Sequence, residues 1–148
     1  MYGVQLDKSK YDSLIQSIKN AFFDVFACDV SILDENHSTD FMGAFSLRYF
    51  YLPLEIVILF ESERKRFEVR IIDKQGASNQ LYRIIRFNPE LSLANAKDAI
   101  EKLKLVLMEN KFDLYLTQGD KLYKISGKNI VRIKNIREIA IKREDSDI

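Results

Sequence analysis

The sequence predicts an α+β domain, an antiparallel β-sheet meander flanked by two amphipathic helices in the order α-β-β-β-β-α-β-β-β. Two observations lead to this prediction. Two stretches carry apolar residues at helical spacings of three and four, and the remaining apolar runs are short, β-branched or aromatic, and separated by brief polar turns. Because the connections are short, successive strands are expected to lie side by side and antiparallel.

The first helix is predicted from a single apolar stripe. Ser9 is a suitable N-cap, and a helix of about 18 residues is expected to follow it. The spacing of three and four places one set of side chains on the face that should pack on the sheet: Tyr11, Leu14, Ile15, Ile18, Phe22, Val25 and Phe26.

Four strands are predicted next, and the second of them is the centre of the sheet. Residues 45–51 form the first strand. Residues 54–61 are apolar on both faces, which predicts a central strand that is covered on both sides. A polar turn over residues 62–65 leads into an alternating strand over residues 66–73, which is a hairpin pattern.

After a turn over residues 74–80, residues 81–87 are predicted to form the fourth strand. The second helix is expected to begin after the cap Ser92 and to end at Asn110 in a left-handed conformation. Residues 112–117 and 122–125 then form a second hairpin, followed by a strand over residues 130–133. Residues 135–142 fit either a helical turn or a strand.

The residues expected in the core are Leu14, Ile18, Phe22, Ile56, Ile58, Phe60, Val69, Ile71, Ile100, Leu103 and Leu107.

Composition indicates one folded domain in a reducing compartment. The 148 residues are 47% hydrophobic, so residues 1–143 are expected to form a single domain and residues 144–148 a frayed tail. Cys28 is the only cysteine, which excludes an internal disulfide. The N-terminus lacks the pattern of a signal peptide, and no apolar run approaches about 20 residues. The predicted location is therefore the cytoplasm.

Catalytic motifs are absent from the sequence, which therefore predicts a protein that is not an enzyme and binds no cofactor or metal. The chain has no phosphate-binding loop and no nucleophile elbow. His37 is the only histidine, so it lacks a second imidazole for a metal site, and a dyad with Cys28 would have to span nine residues. Carboxylates at Glu55, Glu61 and Glu68 are expected to be solvated or paired with Arg66 and Arg70, although a small hydrolase using Glu55 or Glu61 stays an alternative.

The order of elements resembles the small cytoplasmic immunity proteins of bacterial toxin systems. The resemblance covers most of the chain and depends on VILFESERKRFEVRI, AKDAIEKLKLVLMENK and FDLYLTQGDKLYKI in succession. The layout is also similar to that of secretion chaperones. The resemblance to immunity proteins implies a non-enzymatic protein that binds and neutralises a cognate toxin; it carries over no individual residue.

The charge is polarised along the chain, and this suggests where a partner would bind. Residues 1–62 hold four basic and nine acidic side chains, whereas residues 119–143 hold eight basic and two acidic ones. Since nuclease toxins are basic, the predicted partner-binding residues are Asp29, Asp34, Glu35, Asp40, Tyr49 and Tyr51. The alternative is a basic surface that could bind a nucleic acid, formed by Lys121, Lys124, Lys128, Arg132, Lys134 and Arg137. The oligomeric state is left open.

Overall fold

A computed structural model describes residues 2–37 and 44–134, with side chains from Tyr11 onward. It confirms the predicted fold class. The helices are α1 (Tyr2–Phe26), α2 (Leu81–Ile84) and α3 (Leu93–Glu109), with a 3-10 turn at Ala27–Asp29 after α1. The strands are β1 (Val30–His37), β2 (Phe45–Tyr51), β3 (Ile56–Glu63), β4 (Arg66–Ile72), β5 (Ser78–Gln80), β6 (Asp113–Gln118), β7 (Lys121–Ser126) and β8 (Asn129–Ile133).

Within the described residues, the eight strands form one antiparallel sheet in chain order from β1 to β8. The predicted central strand, β3, lies between β2 and β4. Its register places Tyr49 opposite Ile58 and Ile58 opposite Ile71. Paired residues of an antiparallel sheet point to the same face, so these three side chains lie in one row across the middle of the sheet.

The helices α1 and α3 pack on the face of the sheet that carries this row, which we term the covered face. The ring of Phe22 in α1 contacts the rings of Tyr49 and Phe60. The Nζ atom of Lys104 in α3 donates to the carbonyl oxygen of Val25 at 2.9 Å, which ties the two helices together. The buried side chains between the sheet and these helices form one hydrophobic cluster, which we term the core cluster. Every residue predicted for the core belongs to it, except that Leu14 is only partly buried and packs against it.

The opposite face of the sheet, which we term the open face, differs from the prediction. Val57 and Leu59 of β3 point to it, are half-buried, and lie outside the core cluster. The expectation that β3 is covered on both sides is therefore wrong for the part of the chain that the structure describes. Alternation along β3 correctly indicates which residues point to each face, but it cannot show whether a second layer is present.

The first helix and the segment after it both depart from the sequence prediction. The helix begins at Tyr2 rather than after Ser9, because serine carries only a modest penalty inside a helix. Residues 30–37 form the strand β1, although the first strand is predicted at residues 45–51. They are held by pairing with β2, and a bulge between Ile32 and Asp34 shifts the register.

The fourth predicted strand is also wrong. Residues 81–84 form the short helix α2, and Ile85 N donates to Leu81 O at 2.9 Å. The strand lies earlier, as β5, inside the predicted turn. A short apolar run does not distinguish a strand from a helical turn. Here the chain leaves the sheet after β5, and the side chains of Leu81 and Phe87 are buried although neither lies in a strand.

The ends of α3 are as predicted. Ser92 Oγ accepts from Asn95 N at 3.1 Å, and Asn110 has φ = 53°.

The β3–β4 hairpin turns through Arg64 and Lys65, which have φ values of 54° and 66°. Two consecutive positive φ angles are the geometry of a two-residue type I′ turn, which matches the twist of the flanking strands.

The strands β6–β8 are joined to the rest of the sheet by few contacts. Ser78 and Tyr115 are the sole β5–β6 register pair in the described chain. The buried Asn79 side chain adds to it by donating to Asp113 O at 3.0 Å and accepting from Gln80 N at 2.8 Å. The second predicted hairpin, over residues 112–125, is confirmed by the antiparallel pairing of β6 with β7. The predictions for residues 135–142 and 144–148 concern residues outside the described chain.

An aspartate is expected to have opposite effects at two neighbouring positions of β3, because their side chains point to opposite faces of the sheet. Ile58 is fully buried on the covered face, so Ile58→Asp would bury an unpaired charge and should abolish cooperative folding. Leu59→Asp points to the open face, where water can reach the new carboxylate, and should keep a cooperative transition. Thermal unfolding followed by circular dichroism checks both variants, and a cooperative Ile58→Asp protein would contradict the assignment of faces.

Candidate functional site

The acidic segment that the sequence indicates lies at one edge of the sheet. Asp29 ends the 3-10 turn, and Asp34 and Glu35 lie in β1, an edge strand of the described sheet. All three are exposed. Ile32 and Leu33 lie between them with 44% and 49% of their surface exposed. We term these five residues the acidic edge. They combine unpaired strand backbone, apolar side chains and carboxylates.

Two of the three carboxylates are bound by cations of the same chain. Glu35 Oε1 lies 2.6 Å from Lys19 Nζ of α1, and Glu35 Oε2 lies 2.7 Å from Nε2 of His37. The hydrogen bond from Lys19 is the main reason why the pKa of Glu35 is lowered, and the contact with His37 lowers it further. Asp34 lies 3.7 Å from Nε of Arg48. Asp29 has no ion-pair partner among the described residues.

The two tyrosines predicted to bind a partner are buried instead. Tyr49 and Tyr51 are each 5% exposed, so the prediction that they are on the surface is wrong. Tyr49 stacks on Phe22 with a centroid distance of 4.2 Å, and Tyr51 meets Phe26 edge-on at 5.6 Å. Both rings serve the core below α1. Of the remaining predicted residues, Asp40 lies outside the described chain.

The hydroxyl group of Tyr49 is an unusual feature of this core. It is buried and has no hydrogen-bond partner among the described residues. Burial raises the pKa of Tyr49 well above its ordinary value, and the nearby charge of Glu35 raises it further. The phenol therefore stays protonated, and it contributes packing area without a compensating hydrogen bond.

The basic residues of the C-terminal strands do not form a single face. Lys124 pairs with Tyr115 on one side and Val131 on the other, so these three side chains point to the open face. Tyr123 and Arg132 pair with each other and point to the covered face. Lys121 shares the covered face with Arg132, so Lys124 is separated from both of them, and Arg137 lies outside the described residues. A continuous track for a phosphate backbone needs the cations together.

The carboxylates considered for hydrolysis are also separated. Glu55 precedes β3 and contacts Lys74 at 3.3 Å, whereas Glu61 lies six residues further along, roughly 20 Å away at the rise of a strand. Glu61 and Glu68 are directly opposite each other on the open face, and Arg70 contacts Glu68 at 3.1 Å. The pairing predicted for Glu68 with an arginine is thus observed, and the structure brings Glu61 together with Glu68 rather than with Glu55.

A cleft of about 730 Å³ adjoins these two glutamates. It lies where β1 and β3 end and β2 and β4 begin. Its polar lining includes Asn36, Ser46, Glu61, Glu68 and Gln80. Sequence analysis did not indicate this cleft, although the two-sided apolar pattern of β3 did indicate that the open face is not an ordinary solvated surface.

Cys28 and His37 do not form a dyad. Cys28 lies in the 3-10 turn before β1, and His37 is at the far end of β1, so an eight-residue strand separates them. The thiol is exposed. Residues 2–37 and 44–134 contain no group of three or more His, Cys, Asp or Glu side chains that could hold a metal ion.

Comparisons of the chain with family models, with curated proteins and with solved structures found no match. Among the described residues, no helix is long and apolar enough to cross a membrane. The site must therefore be interpreted from its own geometry, and the arrangement consists of an acidic edge, an open sheet face and a cleft at the end of that face.

Replacing the buried phenol should test whether Tyr49 is a core residue. Tyr49→Phe removes an unpartnered hydroxyl and keeps the ring, so the free energy of unfolding should stay unchanged or rise by up to about 1 kcal/mol. Tyr49→Ala should lower it by about 3–5 kcal/mol because a cavity is left. Urea unfolding measures both, and a large loss of stability in Tyr49→Phe would show that the hydroxyl has a partner.

Glu35 should give the fold a defined dependence on acid. Its pKa is lower than the ordinary 4.5, so it stabilises the folded state above that value, and this contribution is lost as the pH falls through the folded-state pKa. Glu35→Gln should lower the free energy of unfolding by less than about 1 kcal/mol at pH 7, because the pair is partly exposed. The variant should also lose less stability than the native protein between about pH 5 and pH 3.

Urea unfolding at several pH values provides the measurement, and Glu109→Gln is the matched control. Glu109 is exposed and forms no ion pair among the described residues. If Glu35→Gln and the native protein lose stability in parallel on acidification, the contact with Lys19 does not exist in solution.

Proposed function

We propose that this protein is a non-enzymatic binding protein that neutralises a partner protein, with a basic toxin domain as the partner. The observation that carries the proposal is the acidic edge, where Ile32 and Leu33 are exposed between carboxylates on an edge strand. Edge strands that expose apolar residues are usually protected by charge or by a partner. The resemblance to immunity proteins in the order of elements supports the same conclusion.

The ion pairs of the acidic edge refine which residues would bind. Glu35 holds Lys19 at 2.6 Å and therefore fixes β1 against α1. Asp34 is held only loosely by Arg48, and Asp29 has no such partner in the described chain. Asp29 can thus contact a cationic partner without losing a contact of its own, and Asp34 would give up only the 3.7 Å contact with Arg48. A cytoplasmic location stays part of the proposal.

Nucleic-acid binding is the competing function, and the structure offers one observation in its favour. Tyr115 and Lys124 share a face and lie directly opposite each other, which is a suitable arrangement for stacking a base beside a phosphate contact. Lys121 and Arg132 lie on the opposite face from Lys124, so we treat this function as an outcome of the test below.

Charge reversal at the acidic edge should slow association with the partner recovered from the source cells by pull-down. Asp29→Lys with Asp34→Lys should lower the association rate about tenfold or more at low salt and much less at high salt, because screening removes the steering. Glu35 stays unchanged so that β1 keeps its contact with α1. Surface plasmon resonance at two salt concentrations measures the rates.

The matched control is Lys124→Glu with Arg132→Glu, which changes the charge by the same amount in the opposite direction at the other end of the sheet. This control should leave binding intact. Loss of binding in the control alone would move the interface to the basic strands. Recovery of RNA alone, with affinity that falls steeply with salt, would replace protein binding by nucleic-acid binding.

A further inference from the structure

On the open face, apolar side chains form a continuous row across β2, β3 and β4. Phe50 pairs with Val57, and Val57 pairs with Ile72, so the three side chains lie next to one another across β2, β3 and β4. Leu59 lies two residues further along β3 on the same face. All four are half-buried and lie outside the core cluster. The helices α1 and α3 pack on the other face.

One end of this row carries charges of both signs, with Glu61, Glu63 and Glu68 beside Arg66 and Arg70. Glu61 and Glu68 are directly opposed across β3 and β4, and like charges in this position destabilise a sheet. The Arg70 guanidinium contacts Glu68 at 3.1 Å, and Arg48 lies near Asp34. Glu61 has no ion-pair partner among the described residues, and it lines the cleft of about 730 Å³ together with Glu68.

We propose that the open face binds an amphipathic helix of a partner protein, with the apolar side of the helix on Phe50, Val57, Leu59 and Ile72 and a lysine or arginine at Glu61 and Glu68. The proposal deepens the binding function above and rests on it. Charge complementarity carries it, because a cation between the two glutamates would remove the repulsion that the isolated fold tolerates.

A helix fits this face better than a strand. The strands β2, β3 and β4 are each hydrogen-bonded to neighbours on both sides, so an added strand has no free backbone groups to pair with. A helix needs none, because it packs its apolar stripe on the face of a sheet. The apolar row of about three strands spans roughly 10 Å, which matches the width of one helix.

A second copy of this chain is a less suitable occupant. A symmetric contact brings the same patch of both molecules together. It would place four of these glutamates in one interface, while Arg48 and Arg70 are already bound to carboxylates of their own chain. Of the arginines at this end of the face, only Arg66 has no ion pair among the described residues, so two copies would set two such cations against four glutamates.

The test uses the full-length protein and two synthetic helical peptides of 18 residues. Both peptides carry the same leucine stripe, and their polar positions are lysine in one and glutamate in the other. Titration of the isotope-labelled protein should show binding of the leucine–lysine peptide, with the largest NMR shift changes at Val57, Leu59 and Glu61. The leucine–glutamate peptide should bind at least tenfold more weakly.

Matched variants locate the contact. Glu61→Gln with Glu68→Gln should weaken binding of the leucine–lysine peptide about tenfold or more, whereas Glu55→Gln with Glu109→Gln changes the net charge equally away from the face and should leave it unchanged. Leu59→Asp, which is expected to stay folded, should also weaken binding. Equal binding of both peptides, no binding, or shift changes confined to the acidic edge would overturn the proposal.

The state of the free protein provides a further check. In the isolated protein, a soluble paramagnetic probe should broaden the methyl signals of Val57 and Leu59 more than that of Ile58, and sedimentation should give a monomer. A protected open face would show that the chain itself or a second copy covers it, which overturns the proposal.

The two proposals can fail separately. If the natural partner responds to Asp29→Lys with Asp34→Lys but not to Glu61→Gln with Glu68→Gln, the helix site is wrong and the binding function holds. If no protein partner is recovered, the proposed function fails whatever the peptides show.

Discussion

The contact of Phe22 with the sheet is the interaction on which the rest of the structure depends. Its ring stacks on Tyr49 at 4.2 Å and meets Phe60 edge-on at 6.1 Å. Phe60 in turn stacks on Phe67 at 5.0 Å. These contacts link α1 to β2, β3 and β4 in one unit and leave the opposite face of the same strands without a described helix. The position of α1 therefore determines which face is core and which is open.

The sequence predicted best those elements whose signals are local. The helix α3 has a serine cap, one apolar stripe and a left-handed asparagine at its end, and its described bounds agree with these signals. The prediction from sequence failed for β1 and α2, where longer-range contacts decide the conformation. Lys19 holds Glu35 from a helix 16 residues earlier, and such a contact leaves no local pattern in a polar stretch such as DENH.

The candidate site was predicted in part, and the reason is physical. Exposure of Asp29, Asp34 and Glu35 follows from their charge, because burial of an unpaired carboxylate is costly. Tyr49 and Tyr51 could have been assigned correctly, since they alternate in step with Phe45 and Leu47 on the same face of β2. The pairing of Glu61 with Glu68 depends on the register of a hairpin, which the turn at Arg64 and Lys65 fixes and which the residue pattern alone does not.

The acidic edge and the open face are suited to different parts of a binding reaction. Exposed carboxylates at an edge act over a Debye length and mainly change the rate of encounter. A half-buried apolar row gains free energy only after water has left it, so it mainly determines how long a complex lasts. The Arg48 side chain lies between the two surfaces, because it shares a face with Leu59 and contacts Asp34 of the acidic edge. Under the proposed function, a partner that covers both surfaces would be drawn in by the first and retained by the second.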